Sequence, residues 1–170
     1  MARKKTNAAR PTAAVPVALD AIDRKILEAL QDDSRLTNLE LAARVGLSPP
    51  PCLRRVRRLR EAGVIARDVS LVDPAKVGQT VIAFVGVELD RQREDVLASF
   101  ERKIAAEPQV QQCYFVSGET DYLLVVTCRD MDDYNQFARR VLANEHNIKR
   151  FRTSFNLSRI KYETRIPLPE

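Results

Sequence analysis

Residues 46–60 read Gly46-Leu47-Ser48-Pro49-Pro50-Pro51-Cys52-Leu53-Arg54-Arg55-Val56-Arg57-Arg58-Leu59-Arg60, and this stretch decides how the N-terminal third of the chain folds. Proline in the first turn of a helix forfeits no hydrogen bond, because the first N–H groups have no intrahelical acceptor. The three prolines therefore mark a helix start behind Ser48, whose hydroxyl is placed to cap it. Cys52, Val56 and Leu59 recur at i, i+4, i+7 and form an apolar stripe, while Arg54, Arg57 and Arg58 project about 140° to 240° away from it at 100° per residue. The cationic face lies opposite the core face. Gly63 closes the helix, and Val64-Ile65 begins a short extended segment.

Two helices precede it. The first opens at Asp20, with Asp23 three residues on, and carries Ile22, Ile26, Leu27 and Leu30 along one stripe. The second opens with Thr37-Asn38-Leu39-Glu40, an S/T-x-x-E capping box in which hydroxyl and carboxylate each satisfy an orphan amide. It ends at Gly46, a residue that takes positive φ at no steric cost. Two helices joined by a turn of about three residues, the second with a stiffened N-terminus and a cationic face, have the layout of a helix-turn-helix. In that geometry the second helix enters the major groove of double-stranded DNA, early residues reach base edges and flanking arginines bridge to phosphates. The competing reading is a small helical bundle with one solvated basic face.

Charge placement agrees with DNA as the partner. The 170-residue chain has 28 Lys and Arg against 23 Asp and Glu, a formal net charge of +5. Residues 1–18 hold Arg3, Lys4, Lys5 and Arg10 with no acid and read as a disordered basic arm; residues 19–66 hold nine basic and seven acidic side chains, and residues 67–170 are close to neutral. At 45% hydrophobic and 30% charged residues, whole-chain disorder is excluded. No apolar run approaches the roughly 20 residues of a membrane span, and no apolar segment follows the basic start as a secretory leader needs. A cytoplasmic, nucleoid-associated protein without a membrane partner is expected. Cys52, Cys113 and Cys128 form no CxxC pair, which argues against disulfides and structural zinc and for buried thiols in a reducing compartment.

After Asp73-Pro74 the periodicity changes. Residues 80–89 (TVIAFVGVEL) read as a strand, 93–106 as a helix, 110–116 as a strand, Ser117-Gly118-Glu119-Thr120 as a turn, 122–128 (YLLVVTC) as a strand, 131–144 as a helix and 148–162 as a long extended segment. The order β-α-β-β-α-β is that of a ferredoxin-like sandwich, so the fold class is α+β: a winged helix-turn-helix over 19–66, a hinge over 67–79 and the sandwich over 80–170. Two helices cover one face of such a sheet. An apolar second face must be buried too, and a two-fold interface with another copy does this most simply. A dimer then addresses two half-sites about 34 Å apart.

These residues carry a resemblance. Asp20-x-x-Asp23-x-x-Ile26-Leu27, the stretch Arg35 to Leu41, the stretch Gly46 to Leu59, and Ser117-Gly118-Glu119-Thr120-Asp121-Tyr122-Leu123-Leu124 together resemble the Lrp/AsnC (leucine-responsive, feast/famine) transcriptional regulators, over about residues 19–167. The resemblance implies a DNA-binding domain hinged to a RAM-type domain that dimerises and binds a small effector, commonly an amino acid. It implies assembly to dimers and on to tetramers or octamers, and control of amino-acid metabolism genes. On the matching positions, Ser48, Pro50, Pro51, Arg54, Arg55, Arg57 and Arg58 are the candidate DNA-binding residues. Gly118, Glu119, Thr120, Asp121 and Tyr122 would line an effector pocket between dimers, with Met131 close to the ligand.

Elementary chemistry suits that loop to an amino acid. Gly118 lets the backbone come close, so main-chain N–H groups meet an α-carboxylate, while Asp121 or Glu119 pairs with the α-ammonium. The plainer reading is that Gly118 makes a hairpin turn and Asp121 caps it. Many relatives carry Asp where this chain has Glu119. No catalytic residue, cofactor or metal site is expected: His146 has no companion ligands, the pairs Asp32-Asp33 and Asp132-Asp133 cannot converge on a substrate, and no phosphate loop or nucleophile elbow occurs. The alternative from another class is an architectural, nucleoid-organising protein with no ligand.

Overall fold

The computed structural model describes residues 16–169, which form two compact units, residues 16–70 with 163–169 and residues 71–162. The expected basic arm, all but its last three residues, lies outside the described residues. Residues 163–169 fall with the N-terminal unit, although the sandwich was expected to run to 170.

In the first unit, α1 (Ala21–Asp32), α2 (Asn38–Val45) and α3 (Pro49–Glu61) follow one another. The expected capping box of Thr37 with Glu40 forms on α2, and Asp20 with Asp23 forms a second one on α1. Gly46 caps α2 at φ 75°, and its N–H and that of Leu47 return to α2 carbonyls. Ser48 makes no side-chain cap. An N-cap hydroxyl accepts from the amides at N2 or N3, and here those residues are Pro50 and Pro51, which have none. The three helices enclose Ile26, Leu27, Ala29, Leu41, Ala42, Val45, Cys52, Val56 and Leu59. At about 25 cal/mol per Å² of apolar area, each large side chain here contributes roughly 1.5–3 kcal/mol by burial. Residues 64–70, expected to begin an extended segment at Val64-Ile65, form no strand: the N–H groups of Val64 and Ile65 both turn back to the carbonyl of Leu59 (2.9 and 3.1 Å).

A strap closes this unit. The side-chain amide of Gln31 donates to the carbonyl of Ile166 (3.1 Å) and accepts from its N–H (2.7 Å), Arg165 pairs with Asp32 (2.6 Å), and Arg24 donates to the carbonyl of Pro169 (2.9 Å). Leu168 packs against the helical core.

The second unit is the expected sandwich. Strands β1 (Val81–Leu89), β2 (Val110–Phe115), β3 (Tyr122–Cys128) and β4 (Ile148–Phe155) form an antiparallel sheet in the order β2-β3-β1-β4. Helices α4 (Glu94–Ala106) and α5 (Met131–Phe137) cover one face, and α5 continues over Ala138–Ala143 in a wider π-helical turn. Ala83, Val85, Val87, Tyr122, Leu124 and Val126 meet Leu97, Phe100, Ile104, Phe137, Val141 and Leu142 in this core. β4 stops at Phe155, seven residues short of the expected end, because its only neighbour β1 begins at Val81. The N–H of Asn156 to the carbonyl of Ile82 (2.8 Å) is the last bond between them. Two cysteines are buried as expected and Cys113 is exposed on the edge strand β2. Desolvation pushes the Cys128 thiol up to about 11.

The opposite face of the sheet has no cover from its own unit. By register, Ile82, Phe84, Leu123, Val125 and Tyr114 share it, and Phe84, Leu123 and Tyr114 are exposed.

Candidate functional site

Helix α3 sorts its five arginines by angle. Val56 and Leu59 with Cys52 point inward, and Pro50, Arg54 and Arg57 form the row on the far side, all exposed. Arg54 and Arg57 make no ion pair among the described residues, so their guanidinium groups are available to an anionic partner. Ser48 is exposed at the head of the row and Pro51 sits half-buried on its flank. Nδ2 of Asn38 on α2 donates to the carbonyl of Pro49 (2.9 Å), joining the two helix starts.

Arg55 and Arg58 go elsewhere. Arg55 Nη1 donates to Asp20 (2.6 Å) and Asp23 (2.9 Å), and Arg58 Nη2 donates to the other carboxylate oxygen of Asp23. Asp23 is 1% exposed, the one buried charged residue among those described, and also accepts from the N–H of Asp20 (3.2 Å). The Asp23 N–H bonded to Asp20, with the Arg55 guanidinium beside it, holds the Asp20 carboxyl below its ordinary value. Two of the residues expected to face DNA are thus tied to the start of α1. At 100° per residue the spacing of α3 already turns Arg55 toward the buried stripe and away from Arg54 and Arg57; the signal that Arg58 is held as well lay 35 residues upstream, in Asp23. Arg60 pairs with Asp68 (2.9 Å).

In the second unit the loop after β2 gathers Gly118, Glu119, Thr120 and Asp121. Gly118 takes φ 132°, which only glycine adopts readily. Asp121 is committed to the loop: Oδ2 accepts from the N–H of Leu89 (2.7 Å), Oδ1 from Nε2 of Gln92 (2.6 Å), and its backbone bonds Val87 and Val116. Both side-chain partners lie at or just beyond the end of β1, so the carboxylate ties the loop to β1 and bonds none of the turn's own amides. Glu119, with an 89% exposed side chain, has only a 3.7 Å pair with Arg152. Among the described residues, the N–H groups of residues 117–120 find no protein acceptor. Thr120 lies over Gly86, where an added Cβ would stand 2.9 Å from Thr120 Cγ2. Tyr122 does not face the loop: its ring is buried against Phe100 and Phe115, and its hydroxyl donates to Glu101 (2.8 Å).

Met131 is exposed at the start of α5, beyond the far end of β3 from Asp121. The seven strand residues between them span roughly 20 Å at about 3.3 Å each, so one chain does not bring both to one small ligand. No cluster of His, Cys, Asp or Glu able to hold a metal occurs among the described residues, and no helix among them is long and apolar enough to cross a membrane.

The comparisons with known proteins divide at the same place as the fold. Residues 19–66 match the winged helix-turn-helix DNA-binding family, and residues 82–166 match the Lrp/AsnC ligand binding domain. The chain is 43% identical over 147 residues to the leucine-responsive regulatory protein of Rhizobium meliloti, covering 86% of this chain and 94% of that one. It is 38% identical over 148 residues to the protein of that name from Escherichia coli, covering 87% and 90%. A transcriptional regulator of Neisseria meningitidis, solved in complex with L-Met, superposes with a TM-score of 0.84 at 39% identity, over 88% of this chain and 97% of that one. A ligand-binding domain counts against the ligand-independent architectural reading. The outward row of α3, the sandwich and these likenesses converge: the chain belongs to the Lrp/AsnC family of DNA-binding transcriptional regulators and is not an enzyme.

Proposed function

We propose that this regulator reads double-stranded DNA through Ser48, Pro50, Arg54 and Arg57, and that an amino acid bound at the loop over residues 117–121 tunes that binding. The observation that carries the first half is the pair of exposed, unpaired guanidinium groups opposite the buried stripe of α3. Guanidinium is the group that reads guanine bidentately or grips phosphate.

For the second half, the unbonded amides of the loop suit an α-carboxylate, and Glu119 has the freer carboxylate for an α-ammonium. The Neisseria relative solved with L-Met lends support from outside the chain. Because Met131 and the loop are far apart in one chain, a pocket using both takes them from two copies. The uncovered apolar sheet face is the surface on which a first pair of copies would join, with pairs assembling further to tetramers or octamers. A ligand bound between copies prefers one assembly state, which is the condition for shifting an equilibrium. The protein acts in the cytoplasm on chromosomal DNA, at genes of amino-acid metabolism.

Fluorescence anisotropy on a duplex from upstream of its own gene, across a salt series and with each amino acid in turn, tests both halves. Arg54→Ala and Arg57→Ala should each weaken binding by about 1–3 kcal/mol where the side chain reads a base, or lower the salt slope by about one where it touches phosphate. Unchanged affinity and slope in the double variant refute the DNA assignment. An effector response that survives Glu119→Gln at full strength refutes the role of Glu119.

A further inference from the structure

The two arginines of α3 that are paired with Asp23 point to a function for the residue that holds them. We propose that Asp23 is a positioning residue for DNA recognition: by gripping Arg55 and Arg58 it fixes the roll of α3 about its own axis and withholds two cations from the phosphate backbone. The inference rests on the assignment of Arg54 and Arg57 to DNA.

Asp23 does more than a helix cap requires. As the third residue of α1 it needs only to accept the N–H of Asp20, and an exposed side chain suffices for that. Here the carboxylate is 1% exposed and takes guanidinium groups from two positions of another helix, 32 and 35 residues away. Arg55 and Arg58 stand one turn apart on the flank of α3, between the inward stripe and the outward row. A grip at one flank resists rotation about the helix axis, which the apolar stripe alone resists weakly because its contacts are not directional. A roll of about 20° carries a side-chain tip at roughly 6 Å radius through about 2 Å, enough to break hydrogen bonds whose useful range is a few tenths of an ångström. The same grip sorts the charge. With Arg55 and Arg58 neutralised locally, the cations at the outward row are Arg54 and Arg57, and the share of affinity that ignores sequence is held down.

The test uses the full chain and a 30-base-pair mixed-sequence duplex, read by anisotropy from 50 to 200 mM KCl, beside the duplex from upstream of its own gene. Asp23→Asn keeps the size and removes the charge that holds the guanidinium groups. Arg55 keeps its bond to Asp20 (2.6 Å), so the one freed arginine, Arg58, steepens the log–log salt slope by about 0.9, and the variant loses roughly 3.5-fold more affinity than the parent across the fourfold salt range. Preference for the specific duplex falls. Asp23→Glu restores the parent slope. A residue with only a stabilising role lowers the folded fraction at every salt concentration and leaves the slope alone; that outcome, with the parent binding normally, overturns this proposal while sparing the Arg54 and Arg57 assignment. Arg55→Gln provides a measurement that does not depend on Asp23 variants folding: Asp23 keeps Arg58 as partner, and the slope should stay within about 0.3 of the parent. A drop of about 0.9, as for a phosphate contact, overturns the proposal. A parent chain that shows no salt-dependent binding removes the underlying assignment and this inference together.

Discussion

Replacing Gly86 by alanine offers a sharp test of the packing described for the effector loop, because two opposing effects make the sign informative. Gly86 sits in the middle of β1 without a positive φ, paired with Leu123 on one side and Arg152 on the other. By backbone entropy alone, alanine should stabilise such a position by about 0.5–1 kcal/mol. The added Cβ, however, would stand 2.9 Å from Thr120 Cγ2, inside the range that real contacts avoid. Thr120 is β-branched, and Asp121 beside it is bonded to Leu89 and Gln92, so the loop is not free to swing away. Overpacking of this kind costs about 1–3 kcal/mol, which outweighs the entropic gain and leaves a net loss of roughly 0.5–2 kcal/mol. Thr120→Ser deletes the offending methyl and should restore most of the loss, giving a coupling of about 1 kcal/mol or more in a double-mutant cycle.

The assay follows from composition. The chain has no Trp and four Tyr, at positions 114, 122, 134 and 162, all in the sandwich unit, so tyrosine fluorescence during urea unfolding reports that unit alone. A Gly86→Ala variant at least as stable as the parent, or one that Thr120→Ser does not relieve, refutes the contact argument.

Acid should weaken the sandwich in a defined window. Bonds from Lys149 and then Arg150 hold the Glu88 carboxyl below its ordinary 4.5. A carboxyl depressed by folding contributes stability that is complete above the unfolded value and is lost as pH falls through the folded one, so the urea midpoint should decline below about pH 4.5, and decline less in Glu88→Gln. In the other unit, Gln31→Ala removes both amide bonds to Ile166, each contributing about 0.5–1.5 kcal/mol. Amide exchange of α1 should accelerate about tenfold, and unchanged protection would deny the strap a stabilising role.

Much of this fold was legible because it depends on neighbours in sequence. The Thr37/Glu40 box, the Gly46 turn and the Cys52-Val56-Leu59 stripe each involve residues within one or two turns, and all three formed as read. The four strands followed from alternation and from the turn signal at Ser117–Thr120, with β4 read seven residues too long. The silent cap at Ser48 was also legible, since Pro50 and Pro51 advertise their missing N–H groups, but the prolines were read only as a start signal. The partition of the arginines was legible in part: 100° per residue turns Arg55 away from Arg54, but the carboxylate that holds Arg55 and Arg58 depends on where α1 packs, a property no local pattern holds. Met131 and Tyr122 were legible: a strand read over 122–128 already puts Met131 about 20 Å from the loop, and alternation suits Tyr122 to the strand core, where its ring is found.

The strap has a consequence in time. Arg24 and the carbonyl of Pro169 that it bonds are 145 residues apart. At roughly 5–20 residues per second, a ribosome finishes the strap about 7 to 29 s after it has made α1. The unit synthesised first is therefore the one completed last, and a ribosome that stalls anywhere in the sandwich leaves a nascent chain whose first helix still lacks its final partner.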